Sequence, residues 1–310
     1  MPVPAEIPPV GAVIVTYNCG EKIIAVFHSL SPQVERTIFV DNGSADNTID
    51  VLKKLKDIGP EKTEIMTLEC NVGVSRALNI GVRRAISLGF KWVLTMDHDS
   101  IADGQMVKYL VDSVERHPKT EKVAVCAPIY VDAGDKMAGR YYRYDGWRRK
   151  RLFPLEPGQV LEPTVVITSG NLINADLYAR LGGFDESLFI DYVDHDYCLR
   201  SLEAGLSVIV STDARLSHSI GNATSIRLFG LSWFSTNHPA SRRYTIGRNR
   251  MTMVRRYRRR FPSYAFWTAI GFGIDFVGIL LCENDKWNKV KMMVRGARDS
   301  WKLKTGQAVS

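Results

Sequence analysis

An alternation constrains this chain most: apolar runs of strand length, each followed by a helical stretch, repeat through the first 96 residues. Val10-Gly-Ala-Val-Ile-Val-Thr-Tyr17 is one such run, and its continuity marks a strand buried on both faces rather than one face of a hairpin. A helical stretch to about Leu30 follows, then Thr37-Ile-Phe-Val40, a helix opening at Asn47-Thr48, and Glu64 to Leu68. A helix over Asn79 to Leu88 and the run Lys91 to Met96 complete the series. Such alternation predicts an α/β fold: a Rossmann-like, mostly parallel central sheet flanked by helices, with its ligand site outside the carboxyl ends of the strands.

Three of those carboxyl ends carry polar clusters: Thr16-Tyr17-Asn18, Asp41-Asn-Gly-Ser44 and Asp97-His-Asp99-Ser100. Asn, Asp, Gly and Ser are also turn formers and helix caps, so each cluster alone has a purely structural explanation. Three of them at one sheet edge read as a site. Beyond residue 122 the pattern loosens into a strand Lys122 to Ala127, an irregular stretch rich in Tyr, Arg and Gly to Arg151, and a strand-like Thr164 to Asn171. At Arg242 the composition shifts to arginine and aromatics, which divides the chain into a body of 1–241 and a basic module of 242–310.

With 310 residues, 45% of them apolar, the chain buries a core without covalent staples. Five widely spaced cysteines without a CxxC pair suggest neither a disulfide framework nor a zinc site. The first ten residues have no basic start and no long apolar stretch, so no secretory signal is expected and the cytoplasm is the expected location. The net charge of +8 conceals a division: Arg242 onward carries +12, and the rest of the chain −4.

Asp97 and Asp99 stand at i and i+2 after an apolar strand; in extended backbone they would point to one side. Oxygen-only ligands suit Mg²⁺ or Mn²⁺ holding a diphosphate. Asp41 is placed to accept hydrogen bonds from a nucleoside, with Thr16, Tyr17 and Asn18 along the same pocket. Asn71-Val-Gly73 and Arg76 would offer N–H groups and a cation to a phosphate near a helix start. The densest acidic stretch, Phe184 to Arg200, holds Asp191, Asp194 and Asp196 among Phe189, Tyr192 and Val193. A half-buried carboxylate there tends to a raised pKa and is a candidate general base. His218 follows an apolar strand and could ligate a divalent ion.

Val15-Thr-Tyr-Asn18, Val40-Asp-Asn-Gly-Ser44, Asn71-Val-Gly73, Met96-Asp-His-Asp-Ser100, Ser169-Gly-Asn171, Gly182-Gly-Phe-Asp-Glu186 and Asp191 to Arg200 occur in the order typical of glycosyltransferase family 2. Seven ordered motifs over about 200 residues carry this resemblance, and the Asp-x-Asp-Ser form, the Asp191 to Arg200 stretch and Arg242-Arg-Tyr-Thr-Ile-Gly-Arg-Asn-Arg250 look most like the bacterial rhamnosyltransferase branch. The resemblance implies a GT-A fold, a nucleotide-sugar donor such as dTDP-rhamnose, Mg²⁺ or Mn²⁺, and inversion at the anomeric carbon. It would assign Thr16, Asn18 and Asp41 to the nucleoside, Asp97 and Asp99 to donor and metal, and His218 to the metal. Asp194 sits where the family places its base. Val193 stands where many members have Glu, so Asp191 and Asp196 stay open as the base.

Met251 to Arg260 leads into Phe261 to Cys282, twenty-two mostly apolar residues with Asp275 among them. That acid, and Pro262-Ser263 at the start, favour a segment lying in a membrane interface or on the body over one that spans. Val290 to Leu303 reads as a basic amphipathic helix. Attraction to anionic lipid at the inner face of the cell membrane, and binding of a glycan or lipid-linked glycan acceptor, explain the tail best; no motif elsewhere supports nucleic acid. Arg248 or Arg250 could also reach the donor diphosphate. The leading expectation is a metal-dependent transferase of L-rhamnose to a cell-surface polysaccharide. Its alternatives are a transferase using another nucleotide sugar, a nucleotide- or lipid-binding module without turnover, and a nucleotidyltransferase. The last lacks its Gly-rich loop after the first strand.

Overall fold

A computed structural model describes residues 8–132, 135–138, 140–153, 156–218, 224–228, 231–235 and 237–303. Its amino-terminal half runs β1 (Val10–Thr16), α1 (Lys22–Leu30), β2 (Arg36–Asp41), α2 (Thr48–Ile58), β3 (Thr63–Thr67), α3 (Val74–Ser87), β4 (Trp92–Asp97), β5 (Ser100–Ala102) and α4 (Met106–Glu115). There follow β6 (Val123–Asp132), β7 (Asp135–Ala138), β8 (Tyr141–Asp145), β9 (Arg148–Leu152), β10 (Val160–Leu161), β11 (Asn171–Asn174), α5 (Ala175–Leu181), α6 (Val193–Glu203) and β12 (Ser207–His218). The chain closes with β13 (Thr224–Leu228), β14 (Leu231–Ser235), α7 (Ala240–Tyr257), α8 (Pro262–Cys282) and α9 (Lys286–Asp299).

The main sheet is ordered β10-β12-β6-β11-β4-β1-β2-β3. Strands β1 to β4 are mutually parallel where they pair, as the alternation predicts, and β12 is parallel to β6, while β11 runs antiparallel between β4 and β6. Side chains alternate between two cores because successive strand residues face opposite sides. Ala12, Ile14, Phe39 and Leu94 pack with α1, α2 and α4; Val13, Val15, Ile38 and Val93 pack with α3, α5 and α6. The result is the GT-A-like three-layer arrangement expected from the sequence.

One expected strand does not form. Thr164 to Thr168 lies outside any ladder, and β11 begins at Asn171, seven residues after the start of the strand-like run. Its carbonyls instead accept side-chain donors: Thr95 Oγ1 at Thr168 (2.8 Å), and Tyr130 Oη at Ile167 (3.0 Å) and Ser169 (3.1 Å). Those bonds satisfy the backbone without a sheet partner.

The basic region is folded onto the body. Met253 and Tyr257 of α7 join Leu199 of α6 and Tyr264 of α8 in a small core of their own. Helices α7 and α9 approach so closely that a Cβ at Gly247 or Gly296 would collide with the backbone of Met293 or Tyr244. The expected seam at residue 242 falls in the first turn of α7. Pro262 is no break: it occupies the first turn of α8, where its missing N–H would have had no helical partner.

Candidate active site

Register brings the predicted strand ends together. Thr16 pairs with Asp41 and Val15 with Asp97, so three carboxyl ends share one edge. Thr16 donates to Asp41 Oδ1 (3.0 Å), Ser44 Oγ donates to the same oxygen (2.6 Å), and the Ser44 N–H donates to Oδ2 (2.9 Å). At 1% exposure, Asp41 shapes the edge from beneath and does not stand open in the pocket. Asn18, at φ +46, receives the Ala45 N–H (2.8 Å), and the neighbouring Tyr17 is exposed.

Asn42, which motif reading passed over as a turn residue, stitches this edge to Asn71-Val-Gly73. Its Oδ1 accepts from the Val72 N–H (2.9 Å), and its Nδ2 donates to Asn71 Oδ1 (3.1 Å), which also accepts from the Gly73 N–H (3.0 Å). Gly43, at φ +76, makes the contact possible: a Cβ there would lie 2.6 Å from the Cys70 carbonyl carbon. Arg76, in the first turn of α3, is largely exposed and pairs with Glu186 (3.8 Å).

β4 ends at Asp97, and His98 and Asp99 form a turn into β5. The extended geometry expected for the two aspartates is therefore replaced by a turn, because β5 must reverse to pair antiparallel with β12. Ser169 ties the turn down: its Oγ accepts from the Asp97 N–H (3.1 Å) and donates to Ser100 Oγ (2.8 Å). Residue 218 is opposite Ser100 in the backbone register, but the His218 side chain lies outside the described residues. Two carboxylates at one turn are hard oxygen donors that fit Mg²⁺ or Mn²⁺, whose remaining positions substrate phosphates and water fill. Among the described residues no three His, Cys, Asp or Glu side chains cluster to cage a metal without substrate.

The acidic stretch is held by unusual backbone. Phe189, Asp191 and Tyr192 all have positive φ (64°, 62° and 67°), costly for side chains with a Cβ and persisting only where the surroundings impose it. Asn249 of α7 imposes it, donating from Nδ2 toward the carbonyls of Leu188 (2.7 Å), Ile190 (2.7 Å) and Asp191 (3.0 Å). Asp191 itself accepts from Nη2 and Nε of Arg242 (3.0 and 3.3 Å).

The three candidate bases separate clearly. Asp196 is fully buried and bound by Arg200 (2.7 Å), Arg256 and the Tyr257 hydroxyl (2.8 Å), so it joins α6 to α7 and faces no acceptor. Asp191 faces Arg242. Asp194, in the first turn of α6, has its carboxyl pushed up by burial and by the charge of Asp191, partly countered by His195. Burial and Tyr141 also raise the Tyr130 hydroxyl, and the charges of Asp194 and Asp97 both add to this. Residues 166–169 link the two sides: Ser169 Oγ holds the Asp97 N–H (3.1 Å), and Cys198 Sγ, one turn after Asp194 on α6, lies 3.9 Å from the Val166 carbonyl.

His195 was missed by sequence reasoning. Its Nδ1 lies 2.8 Å from the Tyr264 hydroxyl of α8, and burial pushes its pKa down, favouring the neutral ring. No local signal marks Tyr130 either; Asn249 had one, a lone amide in an arginine-rich helix. Arg248 donates to the carbonyls of Ser187 (3.1 Å) and Leu188 (3.2 Å), and Arg250 engages Tyr192 and Asp275 (2.9 Å). Arg248 thus braces the loop, and Arg250 ties the loop to α8.

Comparison with known proteins decides the family. The profile described as Glycosyl transferase family 2 matches residues 12–178, more than half of the chain. The chain belongs to glycosyl transferase family 2. This glycosyltransferase is 32% identical over 251 residues to the dTDP-rhamnosyl transferase RfbF of Shigella flexneri, covering 79% of each chain, which bears out the resemblance to the rhamnosyltransferase branch. Solved structures at lower identity share the fold. A mannosyltransferase of Pyrobaculum calidifontis solved with GDP-Man and Mn²⁺ superposes at a TM-score of 0.59, 12% identity, over 98% of the glycosyltransferase and 90% of that chain. GalNAc-T7, solved with UDP, GalNAc and Mn²⁺, gives 0.58 at 16% identity over 73% of the glycosyltransferase, which spans only 45% of that chain.

Proposed function

We propose that this glycosyltransferase moves L-rhamnose from dTDP-rhamnose to a growing cell-surface glycan or lipid-linked glycan, with inversion at the anomeric carbon. The observation that carries the reading is that residues 166–169 join the end of β4 to α6, with Ser169 Oγ accepting from the Asp97 N–H (3.1 Å) and Cys198 Sγ, one turn after Asp194, 3.9 Å from the Val166 carbonyl; inversion needs a leaving-group side and a base side at one site. The relative named a dTDP-rhamnosyl transferase supports the choice of donor.

In this reading the edge built by Thr16, Asn18 and Asp41 receives the nucleoside, and Asp97 and Asp99 hold the diphosphate end together with Mg²⁺ or Mn²⁺. The bound cation would neutralise charge developing on the departing diphosphate. Asp194 removes the proton of the acceptor hydroxyl as its oxygen bonds to the anomeric carbon and the bond to the diphosphate breaks. The raised pKa of Asp194 favours that role: a carboxylate destabilised by burial is a stronger base than one in water. The body of 1–241 supplies the site and 242–310 braces it and meets the membrane; the cytoplasmic face of the cell membrane is the proposed workplace.

Thermal shift across a panel of nucleotide sugars with Mg²⁺ or Mn²⁺ tests the donor, and release of dTDP from dTDP-rhamnose plus acceptor tests turnover. The expected result is that Asp97→Asn weakens the metal-dependent shift by at least tenfold in donor affinity, while Asp194→Asn keeps it and loses transfer. Stronger stabilisation by a UDP- or GDP-sugar would refute the donor; donor binding without release against a broad acceptor panel would favour the non-catalytic module.

A further inference from the structure

α8 is long and apolar enough to cross a membrane, with a mean hydropathy of 1.9, yet only 17% of its apolar window is buried. Phe266, Ile270, Gly273, Ile274, Val277 and Leu281 recur at helical spacing and form one stripe, exposed at Phe266 (52%) and Ile274 (53%). Asp275, the residue that seemed to interrupt this segment, points the other way and pairs with Arg250 (2.9 Å). The outward stripe therefore carries no charge.

Its surroundings are basic and aromatic. Arg258, Arg259 and Arg260 are exposed immediately before α8. The Ser263 N–H donates to the Gly146 carbonyl (3.1 Å), fixing the tip of the β8–β9 hairpin beside the first turn of α8. At that tip Trp147 is 78% exposed, and Arg148, Arg149 and Lys150 follow it, also exposed. Arg149 lies 3.5 Å over the Trp267 ring, so hairpin and helix form one surface. Asp145 is the single acid among residues 140–153.

We infer that the exposed stripe of α8 and the β8–β9 tip form an in-plane docking surface for an anionic lipid bilayer, in which Phe266, Ile274 and Trp147 enter the headgroup boundary and the flanking arginines meet lipid phosphates. It deepens the membrane part of the reading above but does not depend on which sugar is moved. α8 does not span: Tyr264 and Ile279 are buried against the protein, and Asp275 holds the helix to α7 between them. A second copy is a poor occupant, because a two-fold contact would set the same cations against each other. An anionic bilayer offers the opposite charge.

Cosedimentation of the full-length protein with vesicles tests this, comparing phosphatidylcholine alone with phosphatidylcholine plus phosphatidylglycerol at low and high salt. Binding is expected to be at least tenfold tighter to the anionic vesicles and to fall with salt. Ile274→Glu and, independently, Phe266→Ser should each weaken it; the former by at least tenfold. Replacing Arg258, Arg259 and Arg260 by Gln should weaken it about a hundredfold. Thermal melts and donor binding matching the parent show that the variants are folded. Equal binding to neutral and anionic vesicles, or variants that bind like the parent, would overturn the inference. So would self-association without lipid, seen by analytical ultracentrifugation and abolished by Ile274→Glu, which would assign the face to a second copy.

Discussion

Asn249 is the most informative residue to perturb, because one amide group holds the loop that delivers the proposed base. It is fully buried and faces three carbonyls of a segment with three left-handed residues, a conformation that costs about 1–3 kcal/mol at each. Asn249→Leu keeps the volume and removes both N–H donors. Losing two hydrogen bonds worth about 1 kcal/mol each, and leaving desolvated carbonyls behind, should destabilise by roughly 2–4 kcal/mol. At about 2 °C per kcal/mol for a chain of this size, the melting temperature should fall by roughly 4–8 °C. The relaxed loop would also displace Asp194, and a shift of about 1 Å at a reacting group costs on the order of a hundredfold in rate. Donor binding should survive, because Thr16, Asp41 and Asp97 are held by other bonds. Calorimetry, steady-state transfer and donor titration would check all three. A variant that melts within about 1 °C of the parent and turns over normally would refute the clamp.

Two further outcomes follow from the separated aspartates. Asp196→Ala removes the partner of two largely buried arginines and should cost about 3–5 kcal/mol, read as a lower melting temperature or insoluble protein; normal stability with lost transfer would instead make Asp196 the base. Because the folded pKa of Asp194 is raised above its unfolded value, its ionised form opposes folding at neutral pH. Asp194→Asn should then melt higher than the parent at pH 7, an advantage that shrinks as pH falls through the folded pKa and is gone below about 3.9, the unfolded value. For the same reason the acid limb of kcat should lie above the ordinary carboxyl range, and a limb at about 4 or lower would remove Asp194 from that role.

Much of the candidate site's edge is legible in the sequence. Continuous apolar strands and the clusters at Thr16, Asp41 and Asp97 are local patterns, and parallel pairing aligns the carboxyl ends of strands with little freedom. The basic tail was legible as charge but not as placement. Arg242 meets Asp191 and Arg256 meets Asp185 and Asp196, so acids of the body offset part of the +12 within the fold. What remains exposed gathers at Arg258 to Arg260 and along α9, not evenly over the tail.

Periodicity and strand-end chemistry in the chain are thus enough to specify an α/β sheet with polar clusters at one edge, since both depend on neighbours a few residues apart, and the ordered motifs add the resemblance to a transferase family. The different surroundings of Asp191, Asp194 and Asp196, the Asn249 clamp, the link from Asp97 through Ser169 to the 166–169 segment beside α6, and the outward turn of the α8 stripe all depend on residues far apart in the chain. Burial and pairing set those properties, and they exist only once the helices have packed.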